Sequence, residues 1–167
     1  MLVSFCTSII AQSKRSETMS VTEMNSFLSK PNVETSARIA NGATNLNSNK
    51  VRDLITKVQP SIYFYSEDVK TYGDQPTNLF TDIASLNQVD NSIVLKQNIE
   101  IVTIRINNMN ELNSTIDLNA FSNFTNLKYI YFISSLNTTS ENIASHILNY
   151  DSRFNIFYKI DRGDSNQ

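Results

Sequence analysis

Few side chains in this sequence could perform acid–base or nucleophilic chemistry. Its 167 residues include one histidine, His146, and one cysteine, Cys6. A Ser–His–Asp triad could be built only through His146, and there is no G-x-S-x-G elbow to present a serine. The three glycines form neither a G-x-G-x-x-G motif nor a P-loop. The sequence therefore predicts no catalytic residue, no metal site and no cofactor, and it argues against an enzyme.

Carboxylates offer the one alternative chemistry. Acidic residues such as Glu67–Asp68, and Asp82 with Asp90, occur at no informative spacing. A small exported hydrolase could still use such carboxylates, or His146, at the carboxyl ends of parallel strands. We keep this as a second hypothesis.

The charge pattern bears on the partner. Formal net charge is −2, and the only adjacent basic pair is Lys14–Arg15. A polyanion partner requires clustered Lys or Arg to displace counterions. The sequence therefore predicts no nucleic-acid binding.

Aromatic and basic residues recur at alternate positions of the apolar segments. In IVTIRI, residues 101–106, Ile104 and Ile106 fall on one face of a strand and Thr103 and Arg105 on the other. A strand covered by helices on both faces would be continuously apolar, so we expect one open sheet face. Exposed aromatic residues among cations suggest a binding surface. The predicted binding residues are Tyr63, Tyr65, Arg105, Tyr129 and Tyr131, with Phe157 and Lys159 if the last strand keeps register.

Two alternatives to that surface stay open. The aromatic residues could pack under a long loop or the N-terminal arm. A register slip of one residue would exchange the two faces.

The elements that carry these residues alternate in type. Apolar residues at helical spacing predict helices after the Ser20–Glu23 capping box, from Val51 to Pro60, and after the cap residues Thr77, Asp117 and Thr138. β-Branched and aromatic runs predict strands at SIYFYS (61–66), IEIVTIRI (99–106), KYIYFIS (128–134) and FNIFYKI (154–160).

Such alternation predicts an α/β fold, a small mainly parallel sheet with helical crossovers and one face open. Residues 48–167 would form this single domain. Residues 12–47 would form an N-terminal arm with a short helix and an Asn/Ser-rich linker.

The last strands also show a repeat. Their centres recur every 27 residues or so, roughly the period of a leucine-rich repeat. The segment from 101 to 160 resembles that family, whose opening L-x-x-L-x-L is matched at Leu127-x-x-Ile130-x-Phe132 and at Ile101-x-x-Ile104-x-Ile106. Where the family places Asn or Cys to bind backbone groups of the turn, this sequence has Met109 and Ser135. The resemblance implies a short solenoid as the alternative fold.

The N-terminus carries the localisation signal. Met1 to Ala11 is an uncharged, mostly apolar run, well short of the roughly 20 residues that a spanning helix needs. It resembles a bacterial signal peptide, residues 1–11, cleaved before Gln12. We therefore expect a bacterial protein exported to the periplasm, cell surface or medium, with no cysteine and no integral membrane span after cleavage.

The favoured function is that of an exported, non-enzymatic interaction protein that binds an unknown protein or glycan through the aromatic face. A structural, envelope-associated protein is a third hypothesis. Arg162-Gly163-Asp164-Ser165 matches the integrin-recognition tetrapeptide, but we interpret the match as a coincidence, because an exported bacterial protein gives integrins no obvious part.

Overall fold

The computed structural model describes residues 19–29 and 47–163. Nine strands and five α-helices occur in these ranges, joined by three short 3₁₀ turns. The strands are β1 (Val21–Glu23), β2 (Ser61–Tyr65), β3 (Asp68–Tyr72), β4 (Asn78–Asp82), β5 (Ile101–Ile106), β6 (Ile116–Asp117), β7 (Tyr129–Ser134), β8 (Ile147–Leu148) and β9 (Asn155–Ile160). The helices are α1 (Met24–Ser29), α2 (Ser48–Thr56), α3 (Val89–Ser92), α4 (Met109–Leu112) and α5 (Ser140–His146).

Seven strands form one sheet in the order β1-β9-β7-β5-β4-β2-β3. Every neighbouring pair is parallel except the β2–β3 hairpin. Strands β6 and β8 form a separate, short parallel pair. The predicted α/β fold with a mainly parallel sheet is therefore confirmed, with few helices and one antiparallel hairpin.

The segment after Thr77 differs from its prediction. Leu79, Ile83 and Leu86 have helical spacing, yet residues 78–82 form the strand β4. Within it Leu79 and Thr81 are fully buried, while Phe80 is only half-buried, so the true period is two. The connection between β2 and β4 contains no helix; it contains β3, which pairs with β2 as a hairpin.

The N-terminal arm joins the sheet. The predicted helix at Val21 begins three residues later, because Val21 pairs with Ile156 as part of the edge strand β1. The Glu23 carboxylate then accepts hydrogen bonds from the backbone N–H groups of Asn25 (3.0 Å) and Ser26 (2.6 Å), which starts α1. The predicted signal peptide and most of the predicted linker lie outside the described residues.

The other predicted helices form close to their signals. Asn47 caps α2 by accepting from the N–H of Lys50 at 3.1 Å, and Thr139 caps α5 by accepting from the N–H of Asn142 at 3.2 Å. Asp117 accepts from the N–H of Asn119 at 2.9 Å and begins a single 3₁₀ turn, Leu118–Phe121. These polar caps satisfy the free N–H groups of each first turn.

The two faces of the sheet bury two unequal cores. The first face packs against the loops, β6, β8 and α5, with Phe132, Ile104 and Phe64 all fully buried. The second face carries a smaller core under α1 and α2, which includes Met24, Leu54 and Phe157. None of the helices in these ranges is long and apolar enough to cross a membrane.

Candidate functional site

Strand register arranges the second face of the sheet in rows across the strands. Tyr65 pairs with Asp68, Asp82 with Arg105, Arg105 with Ile133 and Ile133 with Lys159. This row lies nearest the carboxyl ends of the parallel strands. One row closer to the amino ends, Tyr63 pairs with Phe80 and Thr103 with Tyr131. The five predicted binding residues therefore share one face.

Helices α1 and α2 cover part of that face. Tyr129 and Tyr131 are each only 6% exposed, and Phe157 is 2% exposed. The rings of Phe27 on α1 and Phe157 lie 4.7 Å apart, and the Asn78 side-chain amide donates to the carbonyl of Leu54 on α2 at 2.7 Å. The expected exposure of Tyr129 and Tyr131 is therefore wrong. The alternative that the N-terminal arm covers them applies in part, because α1 belongs to that arm while α2 belongs to the predicted domain.

Burial also determines the chemistry of these two phenols. Desolvation raises the pKa of the Tyr131 hydroxyl to about 12, and the carboxylates of Asp161 and Glu23 add to the effect. Desolvation, with a contribution from Glu100, likewise raises the pKa of Tyr129. Both hydroxyls therefore stay protonated at neutral pH and cannot act as bases there.

Other side chains of the second face are exposed or half-buried; one of them, Ile133, still packs against the smaller core. We call this part of the face the open strip; its members are Tyr63, Tyr65, Phe80, Asp82, Arg105, Ile133 and Lys159.

At one end of the open strip the aromatic rings form a rigid cluster. Tyr63 stacks on Phe80 with ring centroids 4.8 Å apart and planes 11° apart. The ring of Tyr72, on β3, meets Tyr63 edge-on at 5.5 Å and 89°. Tyr63 is nevertheless 38% exposed and Tyr72 59% exposed. The cluster therefore presents ordered aromatic surface to solvent.

The middle of the open strip is polar. Partial burial raises the pKa of the Tyr65 hydroxyl, while the Arg105 guanidinium, which hydrogen bonds to it, opposes the shift. Asp82 uses one oxygen to accept from the N–H of Ser85 at 2.8 Å. Among the described residues no carboxylate lies within ion-pair distance of Arg105. Arg105 is therefore an exposed cation whose one side-chain partner within residues 19–29 and 47–163 is the Tyr65 hydroxyl.

Phe80, Asp82 and Tyr72 were missed by the sequence analysis. Phe80, and Asp82 as a member of this face, were overlooked because residues 78–82 were interpreted as helical, and Tyr72 because the strand β3 was not predicted. The signal that could have found them is the alternation within NLFTD, which places Phe80 and Asp82 on the side opposite Leu79 and Thr81.

Residues considered for catalysis or recognition elsewhere are dispersed. His146 is the half-buried last residue of α5, away from the open strip. In the part of the chain that the structure describes, no group of three or more His, Cys, Asp or Glu side chains could hold a metal ion. Arg162 of the Arg-Gly-Asp-Ser segment donates to the side-chain oxygen of Asn137, while Asp164 and Ser165 lie outside the described residues.

Comparison with protein-family models, with curated proteins and with solved structures finds no match for this chain. The fold alone defines its class, which is an α/β protein with a seven-stranded, mainly parallel sheet. Its second sheet face carries a smaller core under two short helices, α1 and α2, beside side chains that are exposed or half-buried.

Proposed function

We propose that this chain is an exported, non-enzymatic interaction protein that binds a protein partner through the open strip. The observation that carries the proposal is an exposed Tyr63, stacked on Phe80, on the same sheet face as an exposed Arg105 that has no carboxylate partner among the described residues. Tyrosine and arginine dominate the binding energy of protein interfaces. A tyrosine already held by stacking also loses little side-chain freedom when a partner binds.

The composition of the open strip supports a protein partner over a glycan. Aromatic surface lies at one end, while Asp82, Arg105 and Lys159 place charges of both signs along the rest. Protein interfaces combine aromatic anchors with charged rims in this way.

We propose further that the chain is related in architecture to leucine-rich repeats. In support, β4, β5, β7 and β9 are neighbours in the sheet and parallel. Ile101 pairs with Tyr129 and Tyr129 with Asn155, so equivalent positions recur near the expected period of about 27 residues. Ser135, at the place of the family's Asn, donates to the carbonyls of Ile106 (3.3 Å) and Asn107 (3.1 Å).

Export rests on the sequence of residues 1–11 alone. Mass spectrometry of the mature N-terminus, on protein taken from fractionated cells, tests it. A chain that begins at Gln12 and is found outside the cytoplasm is the expected result. An intact Met1 in the cytoplasmic fraction would contradict export and leave the binding proposal standing.

The binding proposal is tested with the purified protein and the isolated envelope of the cells that make it. Saturable binding should weaken at least about fivefold in Tyr63→Ala and in Arg105→Ala, the loss expected for interface anchors. Lys57→Ala is the matched control, because Lys57 is an exposed cation directly after α2 and outside the open strip.

Pretreatment of the envelope identifies the partner class. Protease should abolish binding, and periodate, which oxidises sugars, should leave it intact. Binding that is absent, or that both strip variants retain at wild-type strength, contradicts the proposal. Sensitivity to periodate alone would replace the protein partner with a glycan.

A further inference from the structure

A polar cleft lies at the opposite end of the sheet from the open strip, at the amino ends of β4, β5 and β7. Its volume is about 330 Å³, at the small end of the range for ligand sites. Each of the three strands is preceded by two lining residues, two positions apart. The lining residues are Gln75, Thr77, Asn98, Glu100, Asn126 and Lys128.

Some polar groups of the cleft are already occupied. The Glu100 carboxylate pairs with Lys50 on α2 at 2.9 Å. The Asn126 amide donates to the carbonyl of Gln97 at 2.6 Å, and the Thr77 hydroxyl donates to the Asn78 side chain at 3.1 Å. Glu100 is thus neutralised, and Thr77 and Asn126 are held in place with acceptor oxygens to spare.

Other groups of the cleft have no partner within residues 19–29 and 47–163. These are the side-chain amides of Gln75 and Asn98 and the ammonium of Lys128. Two amides supply donors and acceptors, and Lys128 supplies a positive charge within ion-pair distance of no carboxylate of the described residues, the Glu100 carboxylate of the same cleft being paired with Lys50. The free chemistry of the cleft therefore suits a small ligand with several hydroxyl groups and one negative charge.

The backbone at Gln75 supplies a second observation. Gln75 has φ 53, in the left-handed region that glycine occupies at no steric penalty. Non-glycine residues in that region are strained, and such strain is often found where a side chain has a binding or catalytic task. Here the strained turn places Gln75 in the lining of the cleft.

We propose that this cleft is a binding site for an acidic monosaccharide of the hexuronate class. The carboxylate would pair with Lys128, and the ring hydroxyls would bond with Asn98, Gln75 and the free oxygen of Asn126. A cleft lined only by polar side chains favours a ligand that can hydrogen bond with each of them. A ligand without such groups would displace the water bound to those side chains and leave them unpaired. The site is separate from the open strip and does not depend on the function proposed for it.

Calorimetric titration of the full chain with D-glucuronate tests the proposal, with D-glucose and acetate as comparison probes. Glucuronate should bind saturably and more tightly than either comparison probe. Lys128→Gln should weaken its binding about tenfold or more, the loss expected for a charge-assisted hydrogen bond. Asn98→Ala should also weaken it, whereas Lys57→Gln and Tyr63→Ala should not.

Gln75→Gly gives a readout that a purely structural role would not produce. Relief of the left-handed strain should raise the melting temperature while glucuronate binding weakens. The proposal is overturned if glucuronate shows no saturable binding, if acetate binds equally well, or if Lys128→Gln binds it as tightly as the wild type does. Circular dichroism of each variant establishes that it is folded.

Discussion

The hairpin between β2 and β3 should become more stable when Ser66 is replaced by asparagine and Glu67 by glycine. Tyr65 pairs with Asp68, so Ser66 and Glu67 are the only residues of the turn. Both have positive φ, 50 for Ser66 and 69 for Glu67. A two-residue turn of this kind matches the twist of the flanking strands, and Asn-Gly is its favoured sequence.

The expected gain follows from opposing contributions. A non-glycine residue in the left-handed region costs about 1–2 kcal/mol, which Glu67→Gly removes. Glycine gives back about 0.5–1 kcal/mol through its greater freedom in the unfolded chain. The hydrogen bond from the Gln88 amide to Glu67, 3.0 Å long and exposed, is also lost, at about 0.5 kcal/mol. Ser66→Asn adds a few tenths, because asparagine tolerates this conformation.

The double substitution S66N/E67G should therefore raise the free energy of unfolding by about 0.5 kcal/mol, or the melting temperature by about 1–2 °C. Urea denaturation measures the first quantity. Gln88→Ala is the control, since it removes the same side-chain hydrogen bond and leaves the turn unchanged. A double variant less stable than Gln88→Ala would refute the reasoning, because both lack the hydrogen bond and the strain removed would then be smaller than the entropic cost of glycine.

Three further predictions concern the covered half of the second face and a second turn. The pKa of Tyr131 is about 12 in the folded protein and near 10 in the unfolded chain, so the unfolded chain loses this proton first as the pH rises. The contribution of Tyr131 to the free energy of unfolding should therefore be complete below pH 10 and fall above it by up to about 1.4 kcal/mol per pH unit. Urea denaturation at pH 9 and 11 measures this fall, and Tyr131→Phe should make it smaller. Leu54→Ala should lower the free energy of unfolding by about 2–4 kcal/mol, because Leu54 is buried between α2 and the sheet. As α2 loosens, acrylamide should quench tyrosine fluorescence more strongly. Unchanged quenching would contradict the cover of the tyrosines by α2. Gly73→Ala should lower the melting temperature, because Gly73 has φ +76 and an added Cβ would lie 3.1 Å from the Cβ of Pro60. An unchanged melting temperature would contradict this geometry.

The parts of the fold predicted from sequence are those with a local signal. β5 and β7 formed where β-branched and aromatic residues cluster, and Asp117 began a turn as predicted, while the cap of α5 is Thr139, one residue after the predicted Thr138. The strand β4 was missed because its five residues are too few to distinguish the helical period of 3.6 from the strand period of two. Apolar residues beyond the strand, such as Ile83 and Leu86, extended the helical spacing. Its pairing on both sides with β2 and β5 overrides that helical spacing.

The candidate site was only half predictable for a different reason. Alternation correctly assigned Tyr63 and Tyr131 to one face, since strand geometry alone determines that. Whether a helix covers a given row depends on where distant segments dock, and no local pattern encodes that position. The apolar sides of α1 and α2 did indicate that each helix needed a surface to cover, and the tyrosine-rich face was one candidate.

Tyrosine suits a face that is covered at one end and open at the other. Its ring packs under a helix, as in Tyr129, or remains in water, as in Tyr63, and its hydroxyl can stay near solvent in either place. The two covering helices also contact each other, since the Arg52 guanidinium of α2 donates to the carbonyl of Leu28 on α1 at 2.7 Å. That bond joins the two helices above the smaller core, which includes both Phe157 and Tyr129. The extent of the open strip is therefore set by the docking of the N-terminal arm as much as by the strands that carry it.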